Sequence, residues 1–194
     1  MAGRDLVRVR DYERETNVAG LLNSLDSDSN DARGYAVCAL GRLRVSNAIP
    51  RVEDLVRDPD KMVRMYACDV LGVLGATDAE SQLVGALKDP DAVVREAAAG
   101  ALCRIRTEAN ISRLRNALRP VAAADSVADV RFAAVESLLV LGDRTVIDQV
   151  PEVVRRLPWR VRRFNPRVTR VTEAAESGGQ LSLEPPLWDT HGAL

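Results

Sequence analysis

Apolar positions in this chain recur on two scales. At the short scale they fall three and four residues apart, the spacing that gathers side chains on one face of an α-helix. Val63, Ala67, Val70, Leu71 and Leu74 make one such face, and Leu83, Ala86 and Leu87 make a second. At the long scale whole faces return every 31 residues. Arg33, Arg64 and Arg95 keep that spacing, as do Ala36, Ala67 and Ala98, Leu40, Leu71 and Leu102, and Leu43, Leu74 and Ile105. A further copy follows after 36 residues, with Arg131, Ala134, Leu138 and Leu141. Such a period marks a solenoid, whose units bury their apolar faces only against their neighbours.

The unit reads as a helical hairpin with a very short turn. Asp58 followed by Pro59 predicts a helix start, with the carboxylate capping free N–H groups and proline in the first turn. Gly75 predicts the stop, because glycine takes the left-handed conformation freely. Thr77 or Asp78 is expected to cap the second helix. The third copy opens at Asp89-Pro90 and runs through Val94, Ala98, Ala101, Leu102 and Ile105, then Ile111, Leu114 and Leu118. The fourth opens near Asp125, uses Val130 and Ala134, stops at Gly142, and continues with Ile147, Val150 and Val154. The first copy has Ser27 where the others have Asp, then Ile49, Val52 and Val56 on its second helix. Leu21 and Leu25 predict one more second helix upstream. The five extra residues before the fourth copy, within 120–125, are expected to lengthen a loop. Four regions follow: a capping segment at 1–17 (Leu6, Val7, Val9, Tyr12), the solenoid at 18–157, an Arg-rich capping or binding segment at 158–171, and a disordered acidic tail at 172–194.

The stretches "DPDKMVRMYACDVLGVLG" (58–75) and "DPDAVVREAAAGALCRI" (89–105) resemble the HEAT-repeat superfamily, and within it the short HEAT-like repeats of the phycobilin-lyase type. The resemblance covers about residues 18–157. It implies an all-α fold, a right-handed α-solenoid of about four full hairpins with degenerate terminal caps. It also implies that the arginine column bridges stacked first helices, with Asp58, Asp89 and Asp125 as partners, and that second helices line the concave face. The motif specifies a fold that many unrelated activities use.

Composition adds constraints. The chain is 46% hydrophobic and 4% aromatic, so the core must be aliphatic. A net charge of -1 argues against a wholesale polyanion binder. The balance hides an asymmetry: residues 155–171 hold seven Arg and no acid, and residues 172–194 hold four acids and no Lys or Arg. Cys38, Cys68 and Cys103 fall in apolar halves of the repeats and read as small buried hydrophobes. The first ten residues lack the apolar core of a signal peptide. No apolar run reaches the ~18 residues of a membrane span. A soluble, cytoplasmic protein without membrane contact is expected.

No residues announce a reaction. The one histidine, His191, lies in the tail, which leaves no metal spacing and no nucleophile relay. Relatives by resemblance include a hydroxylase that uses His-Glu pairs, which this chain lacks. They also include DNA glycosylases with basic, aromatic-rich clefts, unlike this near-neutral solenoid. The expected function is a non-catalytic scaffold or adaptor without a cofactor, binding another protein on the second-helix face. Two rows of outward positions are its candidate contacts: Arg51, Gln82, Arg113 and Gln149, and beside them Asp54, Gly85, Asn116 and Glu152. The alternative is nucleic acid bound by Arg155, Arg156, Arg160, Arg162, Arg163, Arg167 and Arg170, with Trp159 and Phe164 available for stacking, and the same composition suits an acidic protein. Trp159 and Phe164 equally suit a plug for the last repeat. Leu187 and Trp188 could anchor a docking motif in the tail, or the tail could fold back on the Arg-rich stretch. A chromophore or small-ligand carrier related to bilin lyases is a third reading, carried by the resemblance alone.

Overall fold

A computed structural model describes residues 2–158, 161–162, 165–178 and 181 of the chain. All regular structure among them is helical. Eleven α-helices are used below: α1 (Ala2–Arg14), α2 (Val18–Ser24), α3 (Asn30–Arg42), α4 (Ile49–Asp54), α5 (Lys61–Leu74), α6 (Glu80–Ala86), α7 (Ala92–Arg104), α8 (Ile111–Ala124), α9 (Ala128–Val140), α10 (Val150–Arg156) and α11 (Pro166–Ser177). The hairpins are α3/α4, α5/α6, α7/α8 and α9/α10. Their first helices stack in one file, α3 on α5, α5 on α7 and α7 on α9. At the N-terminal end α1 packs on α2 and α3.

The file is held by small residues at the closest approach. Ala36, Ala67, Ala98 and Ala134 are fully buried, as are Leu40, Leu71, Leu102 and Leu138. Gly41 and Gly72 extend the small-residue contact. A Cβ at Gly41 would lie 2.7 Å from Val70 Cγ2, and one at Gly72 would lie 2.8 Å from the Ala101 Cα. The second contact is with backbone, which cannot swing aside. Helix α9 is buried almost all round, from Val130 to Val140, because α7, α8 and α10 enclose it. The Ser137 hydroxyl meets its buried surroundings by donating to the Ala99 carbonyl at 3.0 Å.

Helix boundaries depart from the expected ones in four places, each for a local reason. Helix α5 begins at Lys61 and is capped by Asp60, which accepts from the Met62 and Val63 N–H groups at 2.8 and 3.2 Å. Asp58 does not cap it, because its carboxylate binds Arg33 of the preceding hairpin. Asp91 caps α7 in the same way, and Ser29 caps α3. Neither Thr77 nor Asp78 caps α6, since a short 3-10 turn, Thr77–Ala79, leads directly into it. The inserted residues do not lengthen a loop. Leu118 and Ala122 lie one helical turn apart and are both buried, so α8 continues through exposed Pro120 to Ala124. Finally, residues 172–177, expected within a disordered tail, belong to α11, where Val168, Val171 and Ala174 make a buried stripe. Asn165 caps that helix, and Gly178 ends it at a φ of 63°.

The close packing yields two expectations. Gly72→Ala should lower stability by about 1–3 kcal/mol through overpacking against α7. Leu102→Ala should lower it by about 2–5 kcal/mol through an unfilled cavity. Shifts in urea midpoint at constant slope measure both.

Candidate protein-binding surface

The arginine column forms a ladder between hairpins. Arg33 Nε donates to Asp58 Oδ2 at 2.8 Å and its Nη2 donates to Asp58 Oδ1 at 2.8 Å. Arg64 holds Asp89 in the same fork at 2.8 and 3.0 Å, and Arg95 holds Asp125 at 2.7 and 2.9 Å. The remaining nitrogen of each arginine donates to a backbone carbonyl at the start of its own hairpin, Ser27, Asp58 or Asp89. Each aspartate also accepts the N–H two residues on, at 2.8 to 2.9 Å. These side chains are 3–14% exposed, so the ladder is sheltered from solvent and serves the stack. A planar fork suits that task, where lysine would offer one point charge.

A second set of contacts runs backward along the second helices. Arg51 pairs with Asp26 beside α2. Gln82 Nε2 donates to Glu53 Oε2 at 3.2 Å. Arg113 donates to both Glu80 oxygens at 2.9 and 3.1 Å. Three of the four residues in the first candidate row therefore brace the preceding hairpin. The fourth, Gln149, lines a cleft at the C-terminal end of the array. In the second row Asp54 is exposed, Asn116 accepts from Arg119 at 3.3 Å, and Glu152 holds Arg155 and Arg156.

Sequence reading missed a second cleft. It has a volume of about 490 Å³ and lies between α6 and α8, lined by Asp78, Glu80, Ser81, Val84, Arg113 and Ala117. Asp78, Ser81 and Val84 stand three residues apart, so the helical period that picked out Gln82 could also have found them. Next to it the carboxyl of Glu53 is pushed above the usual range by burial and by the neighbouring Asp78 and Asp54. Asp54 and Asp78 thus place two exposed carboxylates beside Glu53. Among the described residues neither Asp54 nor Asp78 has a cationic partner.

Two arginines of the Arg-rich segment, Arg167 and Arg170, turn inward, while Arg155 and Arg156 are exposed. Arg167 pairs with Glu136, approaches Glu96 at 4.0 Å, and lies over the Phe132 ring at 5.8 Å. Arg170 lies 4.0 Å from Glu136. Arg162 is exposed. Trp159, Arg160, Arg163 and Phe164 lie outside the described residues, as do Leu187, Trp188 and His191. The thiols of Cys38 and Cys68 are pushed up to about 12 by burial, which leaves them protonated at neutral pH.

With the geometry in place, the comparisons with known proteins settle the family. The profile described as HEAT repeats matches residues 18–103 and again residues 55–139, together more than half of the chain. The chain belongs to the HEAT repeat family. Among solved structures, this HEAT chain is similar to a designed armadillo repeat protein at 18% identity, covering 87% of this chain and 84% of that one, with a TM-score of 0.56. A second designed armadillo repeat protein, solved in complex with the peptide (KR)4, gives 18% identity, 87% and 84% coverage and a TM-score of 0.55. An engineered protein solved by a structural genomics consortium gives 18% identity, 90% and 85% coverage and a TM-score of 0.54. At these identities the likeness concerns the α-solenoid fold. No curated protein matches the sequence.

Two expectations follow for the HEAT stack. Arg95→Ala should cost roughly 2 kcal/mol, the scale of charge-assisted hydrogen bonds lost from a sheltered pair. Asp125 and Glu80 are held below the usual carboxylate range by hydrogen bonds from Arg95 and Arg113 respectively. A folded-state value below the unfolded one gives stability that is present above the unfolded pKa of about 4 and lost as pH falls through the folded value. The melting temperature should therefore hold down to about pH 5 and fall below about pH 4. The fall should be shallower in the Arg95→Ala/Arg113→Ala variant, as a pH series of thermal melts would record.

Proposed function

We propose that this HEAT solenoid is a non-catalytic scaffold in the cytoplasm that binds an extended segment of a partner protein along its second-helix face. The observation that carries this reading is the open cleft between α6 and α8 with the unpaired carboxylates Asp54 and Asp78 beside it. An open groove between two second helices suits a linear segment better than a compact ligand. Its charge favours lysine or arginine side chains on the partner. Gln82 and Arg113 are braced by Glu53 and Glu80, so their positions are set before binding, which reduces the ordering cost. A designed armadillo repeat protein of similar fold has been solved in complex with the peptide (KR)4, which supports a basic segment as the occupant. The protonated thiols support a role without cysteine chemistry. No helix among the described residues is long and apolar enough to cross a membrane.

The nucleic-acid reading has less support than the protein-binding one. Four of the seven arginines that suggested it, Arg155, Arg156, Arg167 and Arg170, are engaged by Glu152 and Glu136.

Affinity capture from native extract tests the scaffold. A partner identified by mass spectrometry with the unaltered chain should be lost with Asp54→Lys/Asp78→Lys while the melting temperature stays within a few degrees. Capture that survives this variant but disappears when residues 182–194 are removed would move recognition to the C-terminal segment and end the proposal.

A further inference from the structure

The ladder has three complete rungs and a fourth arginine. Arg33, Arg64 and Arg95 each hold the aspartate that follows the next second helix, 25, 25 and 30 residues further on. After α10 the residue in that position is Leu157. It precedes Pro158 as Asp58 precedes Pro59 and Asp89 precedes Pro90. Its backbone, at φ -65° and ψ 149°, matches Asp58 at -56° and 144° and Asp125 at -60° and 139°. It is also as buried as Asp58. The main chain of a fourth rung is thus formed, and a hydrocarbon side chain stands where the carboxylate would be.

Arg131 keeps its own half of the rung. It donates to the Asp125 carbonyl as Arg64 and Arg95 donate to those of Asp58 and Asp89. Among the described residues no carboxylate hydrogen-bonds to it or ion-pairs with it, and the Asp125 carboxylate beside it is taken by Arg95. The Arg131 side chain instead borders the C-terminal cleft, of about 580 Å³, with Ser126, Asp148, Gln149 and Glu152. Arg156, on the same cleft, shares the Glu152 carboxylate with Arg155.

We propose that Arg131 is a docking point for an aspartate of a partner protein, reached from the C-terminal cleft and presented on a segment of the Asp-Pro type. The proposal rests on the scaffold reading and adds a chemical requirement to it. A single guanidinium fork fits one carboxylate in bidentate fashion. The nearby Asp148 disfavours a polyanion such as nucleic acid, while remaining able to accept a basic side chain from the same segment. A head-to-tail second copy of this chain would not fill the rung, because its first hairpin offers Ser27 at the matching position and α1 covers that end.

The test is an NMR titration of the full chain with a synthetic peptide of residues 85–94, GALKDPDAVV, which carries Asp89-Pro90-Asp91. Saturable shifts should centre on the Arg131 side chain and residues 122–126. Affinity should fall about tenfold or more, equivalent to one lost charge-assisted contact, with the Asp89→Asn peptide and with the Arg131→Gln chain. Leu157→Asp should complete the rung internally, abolishing peptide binding while keeping or raising the melting temperature, which separates rung occupancy from damage to the fold. Shifts that persist in Arg131→Gln and Leu157→Asp, or an absence of binding to the unaltered chain, would overturn the proposal. Binding that emerges only after removal of residues 182–194 would assign the carboxylate to this chain and overturn it as well. Should the peptide fail while capture still depends on Asp54 and Asp78, the scaffold reading stands and the inference about Arg131 alone falls.

Discussion

No hairpin in this protein can bury its apolar stripe by itself, and every other feature answers to that constraint. The first helices must come close enough for aliphatic side chains to interlock, because the chain has few large rings to span a wider gap. Alanine occupies the contact column, and glycine occupies the places where a methyl group would strike the next helix. Close approach in turn brings the start of each first helix within a side chain's length of the next. Arginine and aspartate can then join at 2.7 to 3.0 Å in a fork largely shielded from water.

Polar groups on this solenoid hold the array before they serve anything else. On one side arginines reach forward to the next hairpin. On the other, Arg51, Gln82 and Arg113 reach back to the previous one. These two sets leave unengaged Asp54 and Asp78, the Ser81, Val84 and Ala117 walls of the cleft between α6 and α8, and the cleft bordered by Gln149 and Arg131. A row of varied side chains at a fixed spacing is therefore a weak sign of a binding face, because repeats need inter-unit braces at the same spacing.

The architecture was legible in the sequence because core columns obey one rule at every copy. Leu71 and Leu102 must face the stack wherever the hairpin recurs, so their period survives. The arginine and aspartate columns were legible as recurring positions, and the family resemblance implied that they bridge the stack. What the spacing hid was the division of labour within Asp58-Pro59-Asp60. Both carboxylates precede the helix, and only the geometry shows that the first is claimed by Arg33 and the second caps α5. Helix α11 was obscured by composition: its stripe of Val168, Val171 and Ala174 is short and alternates with Arg and Thr. The candidate face was only partly readable, since a side chain's availability depends on its neighbours in space. Nothing along the chain reveals that Arg113 lies beside Glu80.

The longer helix α8 has a consequence of its own. Arg95 and Asp125 are separated by 30 residues, against 25 in the two earlier rungs, yet their fork has the same dimensions. The clamp between hairpins is thus indifferent to how much polypeptide travels between its two ends. A lineage can extend or trim the distal turn of a second helix, varying the contour seen by other molecules, while the spine keeps its register. The stretch from Pro120 to Ala124 is where this molecule has used that latitude.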